Sequence, residues 1–290
     1  MLRSGELHHR RNAQGFGRSP AHIVREKRLP PYFYDIDDEG RFTPTPLASS
    51  PWEGGKQNGA GLGGLLAHLI DGVAASAPMT VARLTIDILG TAPMAPVEGR
   101  TRIVRDGERF QVSESELWIA DRLVARACAL RTRIADTPVI DGAPVYPPPE
   151  DCPVVKFMSR RAFGQYVESR TAGGNLHTPG PLALWVRFGH QHVRDVPLTP
   201  LVRAATLGDF GGGVGAHVDG REWSFANLDI ALHLTREPEG EWLLIHADTM
   251  SAGNGVAHAN ALFADRRGAF ARGHQTLFIA PQPQAAVGAS

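Results

Sequence analysis

At 290 residues and 31.3 kDa the chain is long enough to bury a large core in one or two domains. Its 30 basic residues balance 30 acidic ones, so it lacks the concentrated basic charge that draws a protein to nucleic acid or an anionic membrane. No apolar run approaches a membrane span, and two cysteines, Cys128 and Cys152, cannot build a disulfide framework or a zinc site by themselves.

Residues 1–29 contain His8-His9-Arg10-Arg11 and a basic cluster at Arg25, Lys27 and Arg28, but no apolar segment of a secretory signal. They read as a disordered tail, and the cytoplasm is the expected compartment. Residues 31–42 suggest a strand, a polar turn at Asp38-Glu39-Gly40 and the start of a second strand, after which the proline-rich stretch 43–52 leads to the organising segment. That segment, 57–75, reads as a helix: Leu62, Leu65, Leu66, Leu69, Ile70 and Val73 recur at helical spacing, with Asn58 placed to cap the first turn. Its entrance holds Gly59, Gly61 and Gly64, which match the spacing of a dinucleotide fingerprint. The preceding stretch is too rich in proline for a buried parallel strand, and the nearest acid, Asp87, falls inside the next strand, so a dinucleotide site is not expected. The glycines are better read as letting another part of the chain approach the helix closely.

Four strand-like runs follow, at 81–89, 100–105, 108–119 and 122–131, separated by Pro93 and Pro96, by Asp106-Gly107 and by Ala120-Asp121. Joined by tight turns, they must be antiparallel. Alternation of Leu84, Ile86 and Ile88 with Thr85 and Asp87 predicts one covered face. Prolines 138, 144, 147, 148 and 149 mark a linker over 136–153. The order of elements then repeats: strands at 154–157 and 182–188, a helix at 198–209 ending in a glycine cluster, and strands at 225–234, 241–249, 255–263 and 269–279. Matching the two sheets sets Asp106-Gly107 against Gly253-Asn254, and Asp121 against the turn at 265–268, which predicts an internal duplication.

A helix wrapped by an antiparallel sheet, present twice, is the double hotdog arrangement, an α+β fold. The expected boundaries are 30–135 and 154–281 for the two units, with 282–290 as a second tail. Residues 81–132, above all the turn Ile103-Val104-Arg105-Asp106-Gly107-Glu108-Arg109-Phe110, resemble acyl-CoA thioesterase II and the broader thioesterase-like superfamily, and so does 241–275. The resemblance implies a hydrolase that cleaves an acyl-CoA or related acyl thioester by water attack, needing neither cofactor nor metal. It also implies a water-positioning trio of aspartate, threonine or serine, and glutamine, which falls on Asp209, Asn227 and Gln275. Asn227 departs from the family's hydroxyl residue. Hydrolysis of a thioester asks for a carboxylate that orients or deprotonates water and for fixed dipoles at the developing oxyanion. Asp209 suits the first role; backbone amides at the glycine-rich helix entrances, or the Gln275 amide, suit the second.

Asp229 lies two residues from Asn227 and is expected on the same sheet face, as a structural acceptor or a second water-handling carboxylate, with His233 continuing that face. His190 and His192 form an H-x-H pair, but two ligands without a third do not make a metal site. The alternative function is a non-catalytic acyl or acyl-CoA binding protein on the same fold. A hotdog hydratase would need a catalytic Asp-His pair at a helix start, and neither half offers a convincing one. Exposed sheet edges predict a homodimer or a higher assembly.

Overall fold

The computed structural model describes residues 31–140, 143–157 and 162–282; the two expected tails lie outside the described residues, apart from Gln282. In the first half, β1 (Tyr32–Ile36) and β2 (Phe42–Pro44) precede α1 (Gly59–Asp71), and β3 (Met79–Ile88), β4 (Glu98–Arg105), β5 (Phe110–Ile119) and β6 (Arg122–Arg133) follow it. The second half holds β7 (Val154–Val155), β8 (Val167–Gly173), β9 (Leu182–Phe188) and β10 (Gln191–Val193). It continues through α2 (Pro200–Gly208), α3 (Gly211–Val214), β11 (Trp223–Asn227), β12 (Asp229–Leu234), β13 (Trp242–Ser251), β14 (Val256–Asp265) and β15 (Gly268–Pro281).

Helix α1 starts where its chemistry dictates. Asn58 is its N-cap: the side-chain oxygen accepts from the Gly61 amide at 2.6 Å, while the side-chain nitrogen donates to the carbonyls of Leu47 and Ser49. At the other end the buried Arg131 guanidinium donates to the carbonyls of Ile70 and Val73, both at 2.6 Å, satisfying acceptors that the helix itself leaves free. The helix therefore closes at Asp71, short of the expected 75. Leu62, Leu65, Leu66 and Ile70 are buried against the strands that curl around it.

Strand order reveals the duplication. In the large antiparallel sheet β3, β6, β5 and β4 run in sequence from the middle toward one end, and β12, β15, β14 and β13 run from the middle toward the other, continuing into β9, β8 and β7. The two halves meet through β3 and β12, with Leu84 opposite Leu232 and Ile86 opposite Ile230, so one pair of antiparallel strands seals an edge of each half. The turns at 106–107 and 253–254 take equivalent places between the third and fourth strands from this seam. This is the double hotdog arrangement. Pairing of β1 with β10 ties the start of the described chain to the second half in a separate small sheet.

Three details differ from the expectation. Strand β8, whose Val-Glu-Ser-Arg-Thr-Ala-Gly sequence has no apolar alternation, goes unanticipated because its order comes from pairing with β9. The helix expected over 198–209 begins at Pro200, capped by Thr199, and bends after Gly208 into the short α3. Finally, the single strand expected over 225–234 is two. Asn227 pairs with Leu277 whereas Ala231 pairs with His274, so one residue more is spent on this side than on β15 and the chain bulges at Leu228.

That bulge corrects the expected face of Asp229. Beyond it Ile230, Leu232 and Leu234 point inward, and Asp229 and the exposed His233 point away from the helices. The Asp229 carboxylate accepts the Thr276 amide across the irregularity, which is the structural role. The proline-rich linker is likewise bound down along part of its length. Trp185 donates to the Pro147 carbonyl at 2.9 Å, the Tyr146 hydroxyl meets His246 Nδ1 at 2.8 Å, and Cys152 joins Trp185, Leu244, Leu262 and Ala264 in a small apolar cluster outside the main core.

Candidate active site

The bend between α2 and α3 places Asp209 against the start of α1 in the other half. A Cβ on Gly59 would lie 2.3 Å from Asp209 Oδ1, so only glycine at that position allows the carboxylate to sit there. The glycine-rich entrance thus serves close approach, as its composition suggests. Asp209 faces the backbone amide of Ala60 and accepts from Asn227 Nδ2 at 2.7 Å; the same amide nitrogen also donates to the Asp209 main-chain carbonyl at 2.9 Å. Although Asp209 keeps a narrow opening to solvent, apolar surroundings dominate, and burial pushes its pKa up to about 6 against the opposing pull of these two donors.

Gln275, on β15, is buried and directed at the same bend. Its Oε1 accepts the Gly212 amide at 2.6 Å, which fixes which end of the side chain is oxygen. Its Nε2 is then left buried without a protein partner. Asn227 Oδ1 is in the same condition, and a Cβ on Gly212 would stand 3.1 Å from it. Gly211 and Gly212 therefore play toward Gln275 and Asn227 the part that Gly59 plays toward Asp209. All three sequence-predicted residues are brought together, and two of them hold unsatisfied polar atoms in a place where such atoms carry a cost of about 1–3 kcal/mol each unless a water or ligand meets them.

Three amides at the start of α1 are already engaged: Gly61 by the Asn58 side chain, Leu62 by the Asn58 carbonyl and Ala60 by Asp209. The Gln275 Nε2, by contrast, is a buried donor without a protein partner among the described residues. Asn227, in turn, spends its donors on Asp209, so it orients the carboxylate rather than supplying a hydroxyl. The Ala60 and Gly212 amides escape a residue-by-residue reading because backbone groups carry no side-chain signature; the glycines around them are the available signal.

His190 and His192 are both buried and flank Phe33, each ring centroid 4.8 Å from it. His192 Nε2 contacts the Gly61 carbonyl at 2.9 Å, and burial lowers the pKa of His192 to about 3 and of His190 to about 4. Among the described residues no group of three His, Cys, Asp or Glu side chains is placed to hold a metal ion. Among the described residues no histidine bonds the Asp209 carboxylate, whose side-chain partner is Asn227.

Residues 48–132 match the family model of the acyl-CoA thioesterase N-terminal domain, and 149–279 match that of the acyl-CoA thioesterase C-terminal domain. The chain belongs to the acyl-CoA thioesterase family. Its fold is shared with solved structures of low sequence identity. One, a conserved hotdog-fold protein of unknown function from Alicyclobacillus acidocaldarius, is 16% identical with a TM-score of 0.68, covering 83% of this chain and 92% of its own. Another, the acyl-CoA thioesterase II TesB2 of Mycobacterium marinum, is 21% identical with a TM-score of 0.60, covering 82% and 97%. A search among curated proteins finds no match. No helix among the described residues is long and apolar enough to cross a membrane.

Proposed function

We propose that this member of the acyl-CoA thioesterase family hydrolyses an acyl-CoA thioester, with Asp209 as general base and Gln275 as the donor to the oxyanion. The observation that carries the reading is the pair of buried, unbonded groups beside a carboxylate whose pKa is raised to about 6. Above that pH Asp209 is ionised and can take a proton from a water held between it and Asn227 Oδ1. The water oxygen adds to the thioester carbonyl, and charge that develops on the carbonyl oxygen is met by the Gln275 Nε2–H. Collapse of the tetrahedral intermediate breaks the C–S bond, and the proton held by Asp209 passes to the departing thiolate. The products are the carboxylic acid and the free thiol.

A thiol-release assay over short, medium, long and aromatic acyl-CoAs tests this reading. Turnover of at least one above the buffer rate is expected. Binding without turnover of any would instead establish the acyl-CoA binding protein.

Assembly as a homodimer is proposed on the end of the sheet formed by β7 and β8, because β7 is only two residues long and leaves β8 largely uncovered. The opposite edge, β4, is blunted by Arg100, Arg102 and Arg105. Light scattering at micromolar concentration should give twice the 31.3 kDa chain mass; the chain mass itself would count against the dimer.

A further inference from the structure

Helices α1 and α2 lie side by side in opposite directions, and each ends in an aspartate set against the beginning of the other. At the end of α2, Asp209 faces the Ala60 amide at the start of α1. At the end of α1, Asp71 accepts a hydrogen bond from the hydroxyl of Thr199, the N-cap of α2. The two contacts are counterparts under the duplication, since each joins the end of one half's helix to the start of the other's. The Asp71 contact stands outside the proposed chemistry: the 13 residues of α1 put it about 18 Å along the helix from Asp209.

Asp71 is partly buried, and burial raises its pKa against the pull of the Thr199 hydroxyl and of the Arg131 and His68 charges nearby. The Arg131 guanidinium spends its donors on the carbonyls of Ile70 and Val73 and on Gln111, which leaves Thr199 to bond the carboxylate. Between their ends the two helices meet through small residues. A Cβ on Gly63 would lie 3.7 Å from the Ala205 carbonyl, so the backbones run close together. Glycine and alanine present few projecting side chains to interlock, and such surfaces resist lengthwise sliding weakly. The register of α2 along α1 therefore falls to the contacts at the helix ends. Little sliding is tolerable at Asp209, whose Oδ1 approaches within 2.3 Å of where a Cβ on Gly59 would stand.

We infer that Asp71 is a positioning residue for the proposed reaction, acting through Thr199: their bond fixes how far α2 reaches along α1, and thereby where Asp209 stands at the first turn of α1. Its effect on turnover rests on the thioesterase reading, whereas the placement of Asp209 is measured without it. The measurement is an NMR titration of protein isotopically labelled at the aspartate carboxyl carbons, with the Asp209 resonance identified by its loss in Asp209→Asn, together with kcat and KM from thiol release.

Burial is the largest cause of the raised Asp209 pKa, so slippage that admits water should lower the titration midpoint. Asp71→Ala cuts the bond and leaves the cap from Val202 to Thr199 intact. In it the Asp209 midpoint should fall by about half a pH unit or more and kcat by about tenfold to a hundredfold, with KM little changed. Asp71→Asn removes the charge but keeps an oxygen that accepts from Thr199, so its midpoint should stay at the parent's. Thr199→Val cuts the same bond from the α2 side and should repeat the fall, and Thr199→Ser should restore the parent's midpoint; this pair carries the test if Asp71→Ala does not fold. A role confined to stability would lower Tm in the bond-cutting variants and leave the midpoint in place, and that result overturns the inference. So does a midpoint in Asp71→Asn displaced as far as in Asp71→Ala, which would assign the effect to the Asp71 charge. Absence of thiol release from acyl-CoAs in the parent, with midpoints that move as described, would overturn the catalytic reading and leave the placement of Asp209 by Asp71 standing.

Discussion

Replacing Asp209 with asparagine should inactivate the protein and make it more stable above neutral pH. The carboxylate is held at a pKa of about 6 in the folded protein, against about 3.9 in an unfolded chain, because burial disfavours its charge. A group with a raised folded pKa binds more protons when folded, so its stabilising contribution is complete below about pH 4 and is lost as pH rises through 6. Two pKa units and a fraction correspond to about 3 kcal/mol of strain at pH 8. An asparagine in place of Asp209 would carry no charge to desolvate, and its amide oxygen could still accept from Asn227 Nδ2. The gain from Asp209→Asn is therefore bounded at about 3 kcal/mol at pH 8, should shrink through pH 6 and should vanish near pH 4. Loss of a positioned base should meanwhile lower kcat by about a hundredfold to ten-thousandfold. Thermal melts of parent and variant at pH 4, 6 and 8, with thiol release at pH 8, read both effects. A variant no more stable than the parent at pH 8, or one whose advantage grows toward acid, would refute the assignment of a desolvated carboxylate.

Gly59→Ala suits a helix but places a methyl 2.3 Å from Asp209 Oδ1, so turnover should fall at least tenfold with little change in the far-UV circular dichroism. Gln275→Leu removes the free Nε2 and should lower kcat by about a hundredfold to a thousandfold; a fall confined to substrate affinity would remove it from the oxyanion role. Asn227→Leu deletes a donor that lowers the Asp209 pKa, so the acid limb of the pH–rate profile should move upward, whereas Asn227→Thr should keep more of the activity; superimposable profiles would show that Asn227 does not orient the carboxylate. His190 and His192 have folded pKa values depressed to about 4 and about 3, so they contribute stability above pH 6.5 that is lost as pH falls toward those values. Melts of the parent should show Tm falling over that window, and His192→Asn should flatten the fall; an unchanged slope would remove His192 as a cause.

Most of the architecture is legible in the linear sequence because its causes are local. The Asn58 cap, the apolar spacing of α1, the period of two in β3 and the turn residues between strands each act within a few positions, and repeating that series twice is enough to imply a duplicated sheet around a helix. The resemblance adds the three site positions, with Asn227 already marked as a departure. What the tertiary structure decides is nonlocal. The bulge at Leu228 depends on how many residues of β15 stand opposite, and it alone turns Asp229 away from Asn227. Strand β8 depends on β9, and the linker is held by Trp185 and His246. The role of Gly59 exists only because Asp209, from the other half of the chain, is brought to the first turn of α1. An unpaired Gln275 nitrogen, likewise, is a property of what surrounds it, since a side chain's free valence is fixed by its neighbours in space and leaves no mark in the order of residues.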